Sequence, residues 1–165
     1  MTFLPRDFAV PAVLEGARFR VRMLTVHDVV KDLDAVTSSR ERLWELFGDA
    51  WGWPPADLSL EQDLIDIGWH QKEFQLRSSF TYAVMSPDES RLLGCVYIDP
   101  SGKAGVDAEV YYWTRTDELR SGLEDELAAM VRDWIASEWP FARVVYPGRD
   151  MSWDDYDRLP DPVGG

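Results

Sequence analysis

The chain has 165 residues, with 30 acidic against 17 basic side chains and a formal net charge of −13 at pH 7. A surplus of that sign repels phosphates, which excludes nucleic acid and an anionic membrane as partners. The hydrophobic fraction of 45%, with eight Trp, excludes disorder, and a chain of this size buries on the order of 70% of its unfolded surface in one domain.

In chain order, residues 1–15 read as an extended arm whose Phe3, Phe8 and Val10 can lie on the body. Phe19, Val21 and Met23 alternate with Arg18, Arg20 and Arg22, the period of a half-buried strand. Thr25 and Asp28 form a capping-box variant before a helix that runs to about residue 38. Its predicted apolar side is Val26, Val29, Val30, Leu33 and Val36. A short helix over 40–47 stops at Gly48, and residues 49–58, with Trp51, Trp53, Pro54 and Pro55, read as irregular. Ser59 followed by Gln62 caps an amphipathic helix over 60–77.

Strands follow over 80–85 and 92–98, joined by a turn with Pro87, and then over 108–115. Leu123, Leu127, Met130, Val131, Trp134 and Ile135 take helical spacing, Pro140 ends that helix, and 143–146 is a last short strand. The order β-α-α-α-β-β-β-α-β predicts an α/β (α+β) fold, with one domain over 16–150. Residues 151–165, rich in aspartate and proline, read as a loosely held tail.

Several chemistries lack their motifs. His27 and His70 stand far apart and outside any Cys/His spacing, so no metal is expected. Cys95, the one cysteine, lies in an apolar strand where a thiol acts as a small hydrophobe, and its solitude fits a reducing cytoplasm. A G-x-S-x-G elbow, a P-loop and a G-x-G-x-x-G fingerprint are absent. No apolar run approaches the ~20 residues of a membrane span. Pro5, Arg6, Asp7, Pro11 and Glu15 interrupt the start, so no secretory signal is expected.

Residues 108–135, AEVYYWTRTDELRSGLEDELAAMVRDWI, resemble the acyl-CoA-binding core of the GNAT N-acetyltransferase superfamily, in the branch that writes its cofactor strand A-E-[IV]-x-Y-W. LEGARFRVRMLTVHDVVKDLDAV is similar to that branch's first strand and helix, and LLGCVYID to the strand before the cofactor strand, so the likeness spans residues 14–146. It implies a GNAT-like mixed, mostly antiparallel central sheet flanked by helices, with acetyl-CoA as cofactor and a small-molecule or peptide amine as acceptor. By this resemblance Glu109 is the candidate base, with an outward, solvated carboxylate as the alternative. The backbone of Tyr112, Trp113 and Thr114 would line the pantetheine. Arg115, Arg120, Ser121, Gly122 and Leu123 would face the phosphates at a helix N-terminus, the alternative for the two arginines being ordinary salt bridges with Asp117, Glu118 or Glu124. Trp51, Trp53, Trp69 and His70 would wall the acceptor side, the alternative being a small core of proline and tryptophan.

Two departures stand out. The family's R-x-x-G-x-G/A loop is here Arg120-Ser121-Gly122-Leu123-Glu124, one residue short, with Glu124 at the second glycine and Asp125 and Glu126 behind it. Those carboxylates are expected to repel a diphosphate. Beyond residue 146 the chain is too short for the family's last helix and two strands, so the C-terminal part reads as truncated. Tyr146 is then the candidate acid, with Tyr156 the other tyrosine available, and the unfinished sheet edge points to a homodimer. The reading is an acyl-CoA-dependent N-acetyltransferase. The alternative is a non-catalytic domain of the same fold that binds a small ligand or a protein partner.

Overall fold

The computed structural model describes residues 2–162, so residue 1 of the predicted arm and 163–165 of the predicted tail lie outside it. Six strands form one sheet in sequence order: β1 (Val13–Glu15), β2 (Arg20–Met23), β3 (Phe80–Met85), β4 (Leu92–Pro100), β5 (Ala108–Thr114) and β6 (Val144–Val145). The first five are mutually antiparallel, and β6 runs parallel to β5. The predicted mixed, mostly antiparallel sheet is therefore present.

Helices cover both faces. Successive side chains of a strand point to opposite sides, so β3 to β5 feed two cores. Tyr82, Val84, Val96, Val110 and Tyr112 pack with Leu127, Val131 and Trp134 of α4 (Leu123–Glu138). Ala83, Met85, Cys95, Tyr111 and Trp113 pack on the other face against α1 (Val29–Ser38), α2 (Arg40–Trp51) and α3 (Leu60–Leu76). Burial on both faces explains why β3 reads as an almost unbroken apolar run. The predicted caps form: the Asp28 carboxylate accepts from the Thr25 N–H at 2.9 Å, and the Ser59 hydroxyl accepts from the Gln62 N–H at 3.1 Å.

Four expectations change. The end of the arm is strand β1, which pairs Val13, Leu14 and Glu15 with Arg22, Val21 and Arg20. Helix α2 runs on to Trp51, since Gly52 supplies the left-handed C-cap at φ 62°. On α1, Val30 is 68% exposed while Asp32 is buried, so the stripe facing the sheet contains a carboxylate. The predicted loose tail is anchored instead. It forms a short helix, α5 (Trp153–Asp157), whose Trp153 indole donates to the Leu46 carbonyl at 3.0 Å. Beyond α5, the Pro160 carbonyl accepts from the Ala104 N–H at 2.7 Å. The segment lies against β5, where Trp153 stacks on Tyr111 with ring centres 5.9 Å apart.

One glycine is demanded by the sheet. A Cβ on Gly94 would lie 2.0 Å from the Trp113 carbonyl oxygen of the neighbouring strand. Gly94→Ala must push β4 from β5, and we expect it to destabilise the fold by about 2 to 3 kcal/mol. A chemical-denaturation midpoint equal to that of the parent would contradict the close approach.

Candidate active site

Strand β6 pairs with β5 only at Ala108–Val144 and Glu109–Val145 and then departs, which leaves a fork beside the second half of β5. The Arg115 N–H donates to Leu93 on β4, so the alternate residues Tyr112 and Thr114 turn their backbone groups into the fork. Two side chains take those groups. Arg149 donates to the Tyr112 carbonyl at 2.7 Å and lies 4.3 Å from the centre of the Tyr112 ring. The Glu124 carboxylate accepts from the Thr114 N–H at 3.2 Å and from its hydroxyl at 3.0 Å.

Glu124 is thus the hub of the loop rather than a free charge. It also pairs with Arg42 at 2.6 Å and Arg149 at 2.7 Å. Burial opposes its ionisation, but the two guanidinium groups and the Thr114 hydroxyl outweigh that and hold its pKa below the ordinary value. Of the neighbouring acids, Asp117 and Glu118 pair with Arg91 and Glu126 with Arg18, while Asp125 has no ion pair among the described residues. Arginines remote in sequence therefore oppose the expected repulsion of a diphosphate at each of these acids except Asp125. Gly122, at φ 76°, opens the N-terminus of α4, and Arg120 makes no ion pair or side-chain hydrogen bond among the described residues. The Ser121 hydroxyl is taken by Arg18 at 2.7 Å. Leu123 and Trp113 turn their side chains into the two cores and offer only backbone to the loop and strand.

Arg115 does not face this loop. It is buried, donates to the Leu92 carbonyl at 3.2 Å and pairs with Asp34 at 2.6 Å, so its role is to tie β5 to α1.

Glu109 stands at the fork itself. It is only 8% exposed, not solvated, and accepts hydrogen bonds from the Tyr111 hydroxyl at 2.6 Å and from the Tyr156 hydroxyl. Burial foremost, and then the hydrogen bond to Glu109, raise both tyrosine pKa values and keep the phenols protonated. Tyr156 on α5 is thus the tyrosine beside the candidate base. Tyr146 packs instead in the α4-side core, with the Arg132 guanidinium 4.1 Å from its ring centre. Glu109, Tyr111 and Tyr156 line a cavity of about 460 Å³ with Asp49, Trp51, Trp153, Asp154 and Asp157.

Trp51 separates this cavity from a second of about 400 Å³, in which Trp51, Trp53, Trp69 and His70 come together as the sequence suggested. Tyr97, Asp32, Asp63, Asp66 and Asp99 complete its polar and aromatic wall. Burial lowers the His70 pKa, which keeps its ring neutral near pH 7, and its Nδ1 lies 3.2 Å from the Thr81 hydroxyl. The four aspartates, Arg42 and Arg149 belong to no motif in the sequence.

No family model and no curated protein matches this sequence. Solved structures do match its fold. The ribosomal-protein-S5-alanine acetyltransferase of Vibrio fischeri aligns with a TM-score of 0.65 at 15% identity, over 82% of this chain and 73% of that one. The ribosomal-protein α-N-acetyltransferase RimL, in complex with coenzyme A, aligns with a TM-score of 0.65 at 15% identity, over 81% and 73%. A GNAT-family acetyltransferase from Bacillus anthracis aligns with a TM-score of 0.60 at 12% identity, over 81% and 72%. The forked sheet, the helix that begins at Gly122 and these alignments together give one conclusion: the chain has the GNAT acetyltransferase fold.

Proposed function

We propose that the chain is an acyl-CoA-dependent N-acetyltransferase that acylates an amine at the β5–β6 fork. The observation that carries this reading is Glu109, a buried carboxylate at the last paired residue before the strands part, open to an acidic, aromatic-walled cavity. Coenzyme A, when bound, supplies the acyl group as a thioester. The residues present fit it in kind. The Tyr112 carbonyl and Thr114 N–H offer an edge for the pantetheine amides, and Gly122, Arg120 and the start of α4 offer an anion site. Arg149 and Glu124 must release the edge groups for this to happen.

Glu109 removes a proton from the acceptor nitrogen as its bond to the acyl carbon forms and the carbon–sulfur bond breaks. Tyr111 and Tyr156 orient that carboxylate. The departing sulfur would take the Tyr156 hydroxyl proton, which Tyr156 would regain from the newly protonated Glu109 through their hydrogen bond.

A second reading is favoured by one observation: the fork is already filled by the chain's own Arg149 and Glu124. On that reading the domain is non-catalytic and binds a small ligand or a protein partner. A thermal titration with acetyl-CoA separates the two. The enzyme is expected to melt at progressively higher temperature as acetyl-CoA increases, by mass action. A melting temperature unmoved at millimolar acetyl-CoA overturns the acetyltransferase reading and leaves the second.

A further inference from the structure

The turn after β6 sends one side chain into the fork, where a bound cofactor would have to displace it. Arg149 donates to the Tyr112 carbonyl at 2.7 Å, and its guanidinium lies 4.3 Å from the centre of the Tyr112 ring. The turn that carries it is closed on itself. The Gly148 N–H donates to the Met151 carbonyl at 2.9 Å, and the Arg149 and Asp150 N–H groups donate to the Tyr146 carbonyl. Gly148 takes φ 78°, and Arg132 grips Asp150 through two hydrogen bonds of 2.6 and 2.7 Å. The backbone is thus fixed, and the part free to move is the Arg149 side chain on its long stem.

The present seat of that side chain is crowded. Arg149 and Arg42 both donate to the same oxygen of Glu124, at 2.7 and 2.6 Å, so two like charges are drawn to one atom. A second seat lies beside the first. Arg149 also lines a cavity of about 440 Å³, whose α2 wall is Glu45 and Leu46. Glu45 stands one turn of α2 beyond Arg42. It is exposed and makes no ion pair or side-chain hydrogen bond among the described residues. A guanidinium that shares its partner therefore has an unshared carboxylate within the same cavity.

We propose that Arg149 is a gate on the cofactor edge of the fork, closed on the Tyr112 carbonyl and open when the guanidinium turns to Glu45. The inference deepens the acetyltransferase reading, on which it rests for the identity of the cofactor. In the closed position the guanidinium takes the acceptor that a pantetheine amide N–H needs and covers the ring beside it. In the open position the carbonyl is free, and Glu124 keeps Arg42 and the Thr114 hydroxyl as partners. Acetyl-CoA binds only the open form, so its apparent affinity is the intrinsic one reduced by the open fraction.

The test is calorimetric titration of the whole chain with acetyl-CoA, at low ionic strength so that an exposed ion pair is least screened. Arg149→Ala is expected to bind about tenfold more tightly than the parent, because it removes a charged donor that competes for the edge. Glu45→Gln is expected to bind about two- to threefold more weakly, because it takes the partner from the open position. Loss of a negative charge by itself would have the opposite sign, since the cofactor is an anion. In the Arg149→Ala background the Glu45→Gln change is expected to have no effect, which a merely structural role of Glu45 would not produce. Arg149→Ala that binds equally or more weakly, Glu45→Gln that binds equally or more tightly, or a Glu45 effect that persists without Arg149 overturns the gate. Absence of binding by the parent and Arg149→Ala alike overturns the gate and the acetyltransferase reading together. Gated binding without acetyl transfer to any amine would refute that reading alone. Acetyl transfer by a chain whose Arg149→Ala variant binds no more tightly would refute the gate alone.

Discussion

Glu124→Ala is expected to destabilise the fold by about 3 kcal/mol, because it strands two guanidinium groups. Arg42 and Arg149 both converge on the carboxylate, and the Thr114 N–H loses its acceptor with it. For a domain of this size that corresponds to a melting temperature lower by about 6 to 12 °C. The pH dependence has a definite sign. The Glu124 pKa is held below its unfolded value, so its stabilisation is fully present above the unfolded carboxyl range and is lost as pH falls through the folded value. Denaturation of the parent and of Glu124→Gln should therefore differ most near neutral pH and converge in acid. Equal stability at pH 7 would mean that the carboxylate is not the hub of the loop. The same hub argues against the simplest remodelling of the loop, a glycine at 124, since removing the acid leaves its two arginines facing one another.

Glu109→Gln is expected to lower the turnover of acetyl transfer about 100-fold, the ordinary contribution of a positioned general base. The amide keeps the size of the carboxylate: its oxygen accepts from one of the two tyrosine hydroxyls and its NH2 donates to the other, so the fold and the cavity around Trp153 should persist. A fall in kcat with KM little changed is the signature of a group acting in the transition state. A rise in KM alone would make Glu109 a docking carboxylate for the acceptor, with the base elsewhere.

Much of the architecture was legible because it is local. Alternation in β2, the apolar run of β3, the A-E-V-x-Y-W strand and the 3.6-residue spacing of α4 each record which faces are covered. Glu109 and the tryptophan wall were legible through the resemblance and through composition. The charge balance of the loop was not, because Arg18 lies 108 residues from Glu126 and Arg42 lies 82 from Glu124. No window of sequence contains both members of such a pair, and the acidic run alone reads as repulsive. The aspartates of the cavity left a fainter mark. Asp32 stands between Val29 and Val36 at helical spacing, and Asp63 four residues before buried Ile67, so each places a carboxylate on an apolar stripe. Proline and aspartate made the tail read as loose, while its two aromatic anchors, Trp153 and Tyr156, signalled docking.

The central question is whether the fork performs acetyl transfer. The direct measurement is release of free thiol from acetyl-CoA by the whole chain, in the presence and absence of an aliphatic amine. Thiol release that requires both protein and amine, saturates with amine and falls about 100-fold in Glu109→Gln is the expected result. Thiol release no faster than in buffer, across amines and with acetyl-CoA demonstrably bound, would contradict it.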